Sequence, residues 1–223
     1  MNSRRFRTLA AAGLVAVSIG AGALPASAST SSALGTRPTS VAAKKAKCNY
    51  EIDRRMFILT ISKTWIGNAR RLTDTQRASL VAGIDSTMTN LETVNRPALA
   101  AATTRDTVKA ACDAIFTDNR VYAVVIPQLM LTIRADQLGS GHDTLVTKSA
   151  EKLAAGADTT ALNALLATAK TKIDGAQAAV VAVTPASFNA DPDGTKAIFT
   201  TAGTDLQSAH SDLKSAITEL ATL

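Results

Sequence analysis

Residues 112–133 read CDAIFTDNRVYAVVIPQLMLTI, and this stretch decides the fold class. Its apolar run ends at Ile133 and is too short to cross a bilayer, which takes about 20 apolar residues. The chain has no other parallel-strand candidates to pair with it, so an isolated strand would leave backbone groups unsatisfied. We therefore predict that this is the most buried helical segment. It should kink or restart at Pro127, because proline removes a backbone hydrogen bond and disfavours the α conformation at Ile126.

Helical periodicity continues on both sides of this stretch. The first predicted helix covers residues 50–72, and its apolar positions are Ile58, Ile61, Trp65, Ala69 and Leu72, widened by Ile52, Met56, Leu59 and Ile66. A Thr73–Gln76 capping box begins the second helix, which ends before Pro97, and Thr103 or Thr104 caps the third. The segment that follows Pro127 is expected to stop at the glycines of 139–141, with a shorter helix over 142–155.

Two long segments near the C-terminus have heptad spacing. In 159–184, large apolar residues recur every seven positions at Leu166, Ile173 and Val180, and the complementary positions hold Ala169, Ala176 and Val183. In 195–222, the large residues are Phe199, Leu206, Leu213 and Leu220, and the positions between them hold Ala202, Ala209 and Ala216. Such spacing lets two antiparallel helices approach closely. The sequence thus predicts an all-α fold, an antiparallel helical bundle with a long C-terminal coiled-coil-like helical hairpin.

Residues 1–28 have the organisation of a signal peptide. Arginines at positions 4, 5 and 7 precede a short apolar segment, and a small-residue cleavage site ends at Ala28. We expect cleavage near Ala28, a secreted, extracytoplasmic protein and no transmembrane span in the mature chain. The general secretory route is preferred, because the paired arginines of a twin-arginine signal are one residue out of register with Phe6.

The mature chain is predicted to have three parts. Residues 29–43 are rich in Ser and Thr and form a flexible leader. An N-terminal helical domain covers 44–140, and a C-terminal helical segment with the hairpin covers 141–223. Cys48 and Cys112 are the two cysteines of the chain, and an even count in an exported protein favours a disulfide over two free buried thiols.

Charge is unevenly distributed along the chain. Residues 37–77 contain ten Lys/Arg and three Asp/Glu, a balance of +7, whereas residues 78–223 have a balance of −4. This basic region is a candidate site for an anionic cell-wall polymer or lipid head groups. It could equally dock on the acidic remainder of the same chain or stay solvated. Nucleic acid is not expected as a partner, because the chain has an export signal and few aromatic residues for stacking.

Half of the mature chain resembles a known family. The residues are CNYEIDRR at 48–55, RRLT at 70–73, Cys112 and above all DNRVYAVVIP at 118–127, with Ala-Asp at 135–136. They are similar to an uncharacterised family of exported helical proteins from high-GC Gram-positive bacteria. Asn119 and Gln128 depart from the aromatic and lysine residues of that pattern. The resemblance implies an exported helical fold and pairing of Cys48 with Cys112, and it implies no reaction.

Arg120, Tyr122 and Pro127 are the candidate ligand or structural motif. As ligand contacts, Arg120 and Tyr122 would lie at a helix break. As structural residues, Arg120 would pair with Asp118 or another acid, and the Tyr122 hydroxyl would be bonded at the edge of the core. We favour the structural interpretation.

Three further motifs are weaker. NADPDG at 189–194 matches half of a calcium loop, yet Thr200 stands where such a loop needs a glutamate, so we favour a turn that caps the last helix. GSGHD at 139–143 brings Ser140, His142 and Asp143 together, but neighbours in sequence rarely form a catalytic triad, so we favour a flexible break. His210 lies beside the last heptad seam without a second histidine. We predict no catalytic, metal-binding or cofactor-binding residues.

These observations favour a non-catalytic exported protein that binds or has a structural role at the cell envelope. The alternatives are a carrier of a small apolar ligand, held where Pro127 opens the core, and an envelope hydrolase.

Overall fold

The computed structural model describes residues 40–69 and 72–223, which are built from helices without strands. In chain order they form α1 Val41–Asn68, α2 Asp74–Asn90, a first π-helical turn Leu91–Asn95, α3 Arg96–Ala101, α4 Arg105–Thr117, a second π-helical turn Val121–Val125, α5 Ile126–Ala154, α6 Thr160–Val181, α7 Pro185–Ala190 and α8 Pro192–Thr222. The all-α bundle prediction is confirmed. The predictions for residues 1–28 and most of the leader lie outside the described residues.

The helix starts follow the capping chemistry of the sequence. Thr73 begins α2 with a capping box to Gln76, as predicted. Thr104, one of the two residues predicted to cap the next helix, begins α4, and its capping box with Thr107 was not predicted. Helix α1 begins at Val41, three residues before the predicted start of the helical domain at residue 44, because the Ser40 hydroxyl accepts a hydrogen bond from the Ala43 N–H at 3.1 Å. The Arg77 guanidinium donates to carbonyls at the end of α1, including those of Ile66 and Gly67.

Helix α1 buries one part of the predicted apolar face. Ile52, Leu59 and Ile66 recur every seven residues and are fully buried, whereas Trp65 is 38% exposed. Ala69 and Leu72 of the predicted face are buried as well. Residues 56–61 are nearly all apolar, so periodicity alone did not settle which part of that face is buried. The buried stripe packs in one hydrophobic core with Leu91, Leu99, Val108 and Ile115 from the elements that follow.

Both interior prolines follow a π-helical turn. The Arg96 N–H donates to the Leu91 carbonyl before Pro97, and the Ile126 N–H donates to the Val121 carbonyl before Pro127, each five residues back. Ile126 keeps α-helical angles (φ −69°, ψ −49°), so the prediction that Pro127 would displace it is wrong. The wider turn accommodates the proline ring, which in a regular helix clashes with the carbonyl four residues earlier.

The opening stretch is helical, but it is not the most buried segment. Val121, Val124 and Leu129 are buried, whereas Tyr122 and Met130 are exposed. Helix α6 is buried more completely along one face, with Leu162, Ala169 and Val180 fully inaccessible to solvent. The apolar composition of the stretch therefore overstated its burial.

Helix α5 runs through the predicted glycine stop. Residues 139–141 lie in its middle, so the shorter helix predicted over 142–155 is the second half of α5, and the boundary drawn between residues 140 and 141 falls inside this helix. Leu138, His142 and Ser149 are buried on α5. Their packing outweighs the helix penalty of glycine, about 1 kcal/mol per residue.

The C-terminal hairpin matches its prediction. The heptad residues of α6 and α8 form a second core with Ala135 and Leu138 of α5. Lys172 on α6 reaches Asp212 on α8 at 2.7 Å and ties the pair at its edge. The connection over 184–194 contains the short helix α7. Among the described helices, none combines the length and apolar character needed to span a membrane.

Candidate functional site

The two cysteines join α1 to α4. Cys48 and Cys112 lie at disulfide distance, with 5.6 Å between their Cα atoms, and both are buried. The link fixes α1 against the helix that leads into the Arg120–Tyr122–Pro127 motif.

Arg120 directly precedes the second π turn, and its backbone has a left-handed conformation, with φ 40° and ψ 41°. Its Nε donates to the Asn189 side-chain oxygen at 2.6 Å, and its guanidinium lies 5.0 Å from the centre of the Phe188 ring. Its hydrogen-bond partner among the described residues is thus an amide on α7, where the structural interpretation expected an acid. Arg120 fastens α7 to the end of α4.

Tyr122 points to a different neighbour, helix α1. The guanidinium groups of Arg54 and Arg55 lie 5.2 and 5.3 Å from the centre of its ring, and its hydroxyl donates to the Arg54 carbonyl at 3.4 Å. The ring remains 41% exposed. Arg120 and Tyr122 therefore do not converge on one site, and Pro127 is half-buried at the start of α5.

Helix α1 presents a second apolar stripe to solvent. Six residues lie within about 80° of one another around the helix axis at 100° per residue. We call them the α1 outer face: Lys47, Tyr50, Arg54, Phe57, Ile61 and Trp65. Tyr50 and Phe57 are 64% and 67% exposed. The face lies opposite the buried stripe, so α1 is apolar on two sides.

The charge of the α1 outer face is positive. The acids beside it are already paired, Glu51 with Arg55 and Asp53 with Arg96, each at 2.7 Å. Lys47 and Arg54 make no ion pair with the described residues. Phe116 extends the aromatic surface, with the Arg55 guanidinium 4.4 Å from its ring centre. Of the eight aromatic residues in the chain, five are exposed on α1 or beside it.

A cleft of about 650 Å³ lies between α2, the second π turn, α5 and the end of α6. Asp136 of α5 is 6% exposed on its wall. Its Oδ1 accepts from the side-chain amides of Gln76 and Gln177, each at 2.9 Å. Burial raises the pKa of this carboxyl, although the two amide donors act in the opposite direction.

Asn119 and Gln128 both have structural partners. Asn119 is buried. Its side-chain oxygen accepts from the Asn90 amide at 3.0 Å, and its side-chain nitrogen donates to the Asn95 side-chain oxygen at 2.8 Å. These bonds join the first π turn to the residues that precede the second π turn. Gln128 donates to the Val180 carbonyl at 3.0 Å at the end of α6. Neither role was predicted from the sequence.

The weaker motifs have local roles. Asp191 caps α8 by accepting from the Gly194 N–H at 2.9 Å, in line with the favoured turn. Ser140 and His142 are two residues apart in a continuous helix, where such neighbours face different sides. The flexible break predicted there is therefore wrong. His142 is buried beside Asp143. Burial, with Lys214 and Arg134 nearby, lowers the pKa of His210.

Sequence reasoning missed the α1 outer face and Asp136. The signal for the face was present: residues 50, 54, 57, 61 and 65 share one side of a helix whose opposite side has Ile52, Leu59 and Ile66. The signal for Asp136 was an acid on the inward side of α5, one position after Ala135. Comparison with family models, with curated proteins and with solved structures found no match.

Proposed function

We propose that this is an exported, non-catalytic protein that attaches to an anionic lipid surface through the α1 outer face. The single observation that carries the proposal is a row of exposed aromatic residues interleaved with Lys47 and Arg54 on one side of a helix. The predicted signal peptide supports action at the outer surface of the membrane.

Aromatic and basic side chains together favour lipid over a soluble polyanion. Tyr and Trp partition to the boundary between head groups and acyl chains, where an apolar body meets water. Lys and Arg near an anionic membrane each contribute about 1 kcal/mol. A polyphosphate polymer would use the cations, but it offers no apolar phase for Phe57, which is 67% exposed.

The rest of the fold presents the face as a rigid unit. The buried stripe of α1 and the link from Cys48 to Cys112 hold the helix against the bundle. Tyr122 lies over Arg54 and limits the freedom of its guanidinium. A preorganised face loses less side-chain entropy on binding than a flexible tail.

Vesicle sedimentation tests the proposal. The processed chain, residues 29–223, should sediment with phosphatidylcholine vesicles that contain about 30% phosphatidylglycerol, and much less with phosphatidylcholine alone. The double variant Lys47→Gln/Arg54→Gln should bind about 30-fold more weakly, since two cations contribute about 2 kcal/mol. The matched control Lys170→Gln/Lys196→Gln removes two exposed cations elsewhere and should bind like the wild type.

A second pair of double variants tests how much the apolar side chains of the α1 outer face contribute to vesicle binding. Phe57→Ala/Trp65→Ala should weaken vesicle binding about 10-fold or more, because two aromatic rings no longer enter the interface. Leu153→Ala/Ile217→Ala removes large side chains that are 59% and 41% exposed on α5 and α8, and should have no effect. Retention on purified anionic wall polymer without binding to vesicles would contradict the lipid proposal.

The two alternatives have weaker support. Nothing brings Ser140 and His142 together, so no observation favours a hydrolase. The cleft beside the second π turn lies near the position expected for an apolar-ligand carrier, but its wall includes Asp118, Asp136 and several amides.

A further inference from the structure

The cleft beside Asp136 is lined by apolar side chains and by two carboxyl groups. Leu80, Ile84, Val124 and Leu129 supply an apolar side. Asp118 and Asp136 supply two carboxyl groups, and no Lys, Arg or His of the described chain lines it. Its volume of about 650 Å³ is within the range of small-molecule sites, roughly 300–1,000 Å³.

The amide nitrogens that line the cleft are already used. Gln76 and Gln177 donate to Asp136, Asn90 donates to Asn119, and Gln128 donates to carbonyls at the end of α6. Since each nitrogen is fixed by an acceptor, the side-chain oxygens of Asn90, Gln128 and Gln177 remain, and they accept from no described residue. The amides therefore offer acceptors to a ligand.

Asp136 adds the strongest acceptor. Its Oδ1 takes both glutamine amides, while its Oδ2 accepts from no described residue and is not sealed from solvent. A carboxylate that is 94% buried without a cation beside it is costly, because desolvation disfavours the charged form. A ligand that brings a positive charge to Oδ2 would offset that cost.

We propose that this cleft binds a small organic cation, with a ligand ammonium group donating to Asp136 Oδ2 and an apolar body lying on Ile84, Val124 and Leu129. The neighbouring amide oxygens accept the remaining ammonium hydrogens. The site is separate from the α1 outer face, so this inference does not depend on membrane attachment.

Three probes with one apolar body test the charge requirement: hexylammonium, 1-hexanol and hexanoate, titrated at pH 7 into the processed chain labelled with ¹⁵N. Hexylammonium should bind saturably and shift the side-chain amide signals of Gln76 and Gln177. We expect 1-hexanol to bind at least about 10-fold more weakly, because it lacks the charge-assisted hydrogen bond, and hexanoate not to bind.

Asp136→Asn is the decisive variant, because Asn keeps an oxygen for both glutamines, removes the negative charge and replaces the Oδ2 acceptor by an amide nitrogen that donates. Hexylammonium affinity should fall about 10-fold, with the helical spectrum unchanged. The control Asp174→Asn, at an exposed carboxyl on α6, should bind like the wild type. Equal affinity for all three probes, unchanged affinity in Asp136→Asn, or no saturable binding of hexylammonium would overturn the proposal.

Discussion

The guanidinium of Arg54 lies 5.2 Å from the centre of the Tyr122 ring, so the Arg120–Tyr122–Pro127 motif contacts the outer face of α1. The motif thus contributes to the surface that we propose as functional without forming a pocket of its own. Its other polar member, Arg120, contacts α7 instead.

Tyr122 should contribute to stability mainly through its ring. Replacing Tyr122 by Ala removes contacts with two guanidinium groups and should lower the free energy of unfolding by about 1–2 kcal/mol. Tyr122→Phe should change it by less than about 0.5 kcal/mol, because the hydroxyl bond to Arg54 is long at 3.4 Å. Urea denaturation of both variants checks this. A Phe variant as unstable as the Ala variant would show that the hydroxyl dominates.

Asn119 should be needed for folding stability. Asn119→Ala leaves the amides of Asn90 and Asn95 without their shared partner and should cost about 2–3 kcal/mol. Gln207→Ala removes an exposed amide from α8 and should change stability by less than about 0.5 kcal/mol. Similar denaturation midpoints for the two variants would contradict this role.

The link between α1 and α4 should stabilise the protein strongly. The cysteines are 64 residues apart, and closing a loop of that length contributes about 4 kcal/mol in the chain-entropy treatment. Cys48→Ala/Cys112→Ala should unfold at correspondingly lower urea concentration, and the wild type in reductant should behave similarly. If reductant leaves the wild-type midpoint unchanged, the two sulfurs are not joined in solution.

Asp136 should destabilise the protein at neutral pH. Its pKa is raised by burial above the ordinary value of 3.8, so the folded state holds the proton more tightly than the unfolded state. The stabilising contribution of the Asp136 carboxyl is present when the pH is below its ordinary pKa. It is lost as the pH rises through the pKa that the carboxyl has in the folded state. Asp136→Asn should therefore gain stability relative to the wild type as pH rises from about 4 to 7. Parallel stability curves for the two proteins would contradict this.

The sequence predicted the C-terminal hairpin well, because repeats such as Leu206 and Leu213 leave one choice of buried side. For α1 it predicted an apolar face that was too wide, since Ile52 and Ile61 are equally apolar and only tertiary packing decides which is buried. Gly139 and Gly141 were interpreted as a stop, because local propensity takes no account of the partners that hold α5 straight.

The functional surfaces were harder to predict than the fold. The basic region 37–77 was identified from charge, but Trp65 was assigned to the apolar face and Tyr50 and Phe57 were assigned to neither side, so the α1 outer face was not recognised. The cleft joins Gln76, Asp136 and Gln177 from three helices, and no local pattern reveals a contact across such sequence distances.

Trp65 gives the most direct test, because it is the only tryptophan of the chain and lies on the α1 outer face. Its fluorescence is measured while vesicles with about 30% phosphatidylglycerol are added to the processed chain at low salt. Attachment through this face predicts a blue-shifted emission and reduced quenching by acrylamide, both reversed by high salt. Emission and quenching that stay unchanged at saturating lipid would contradict the account.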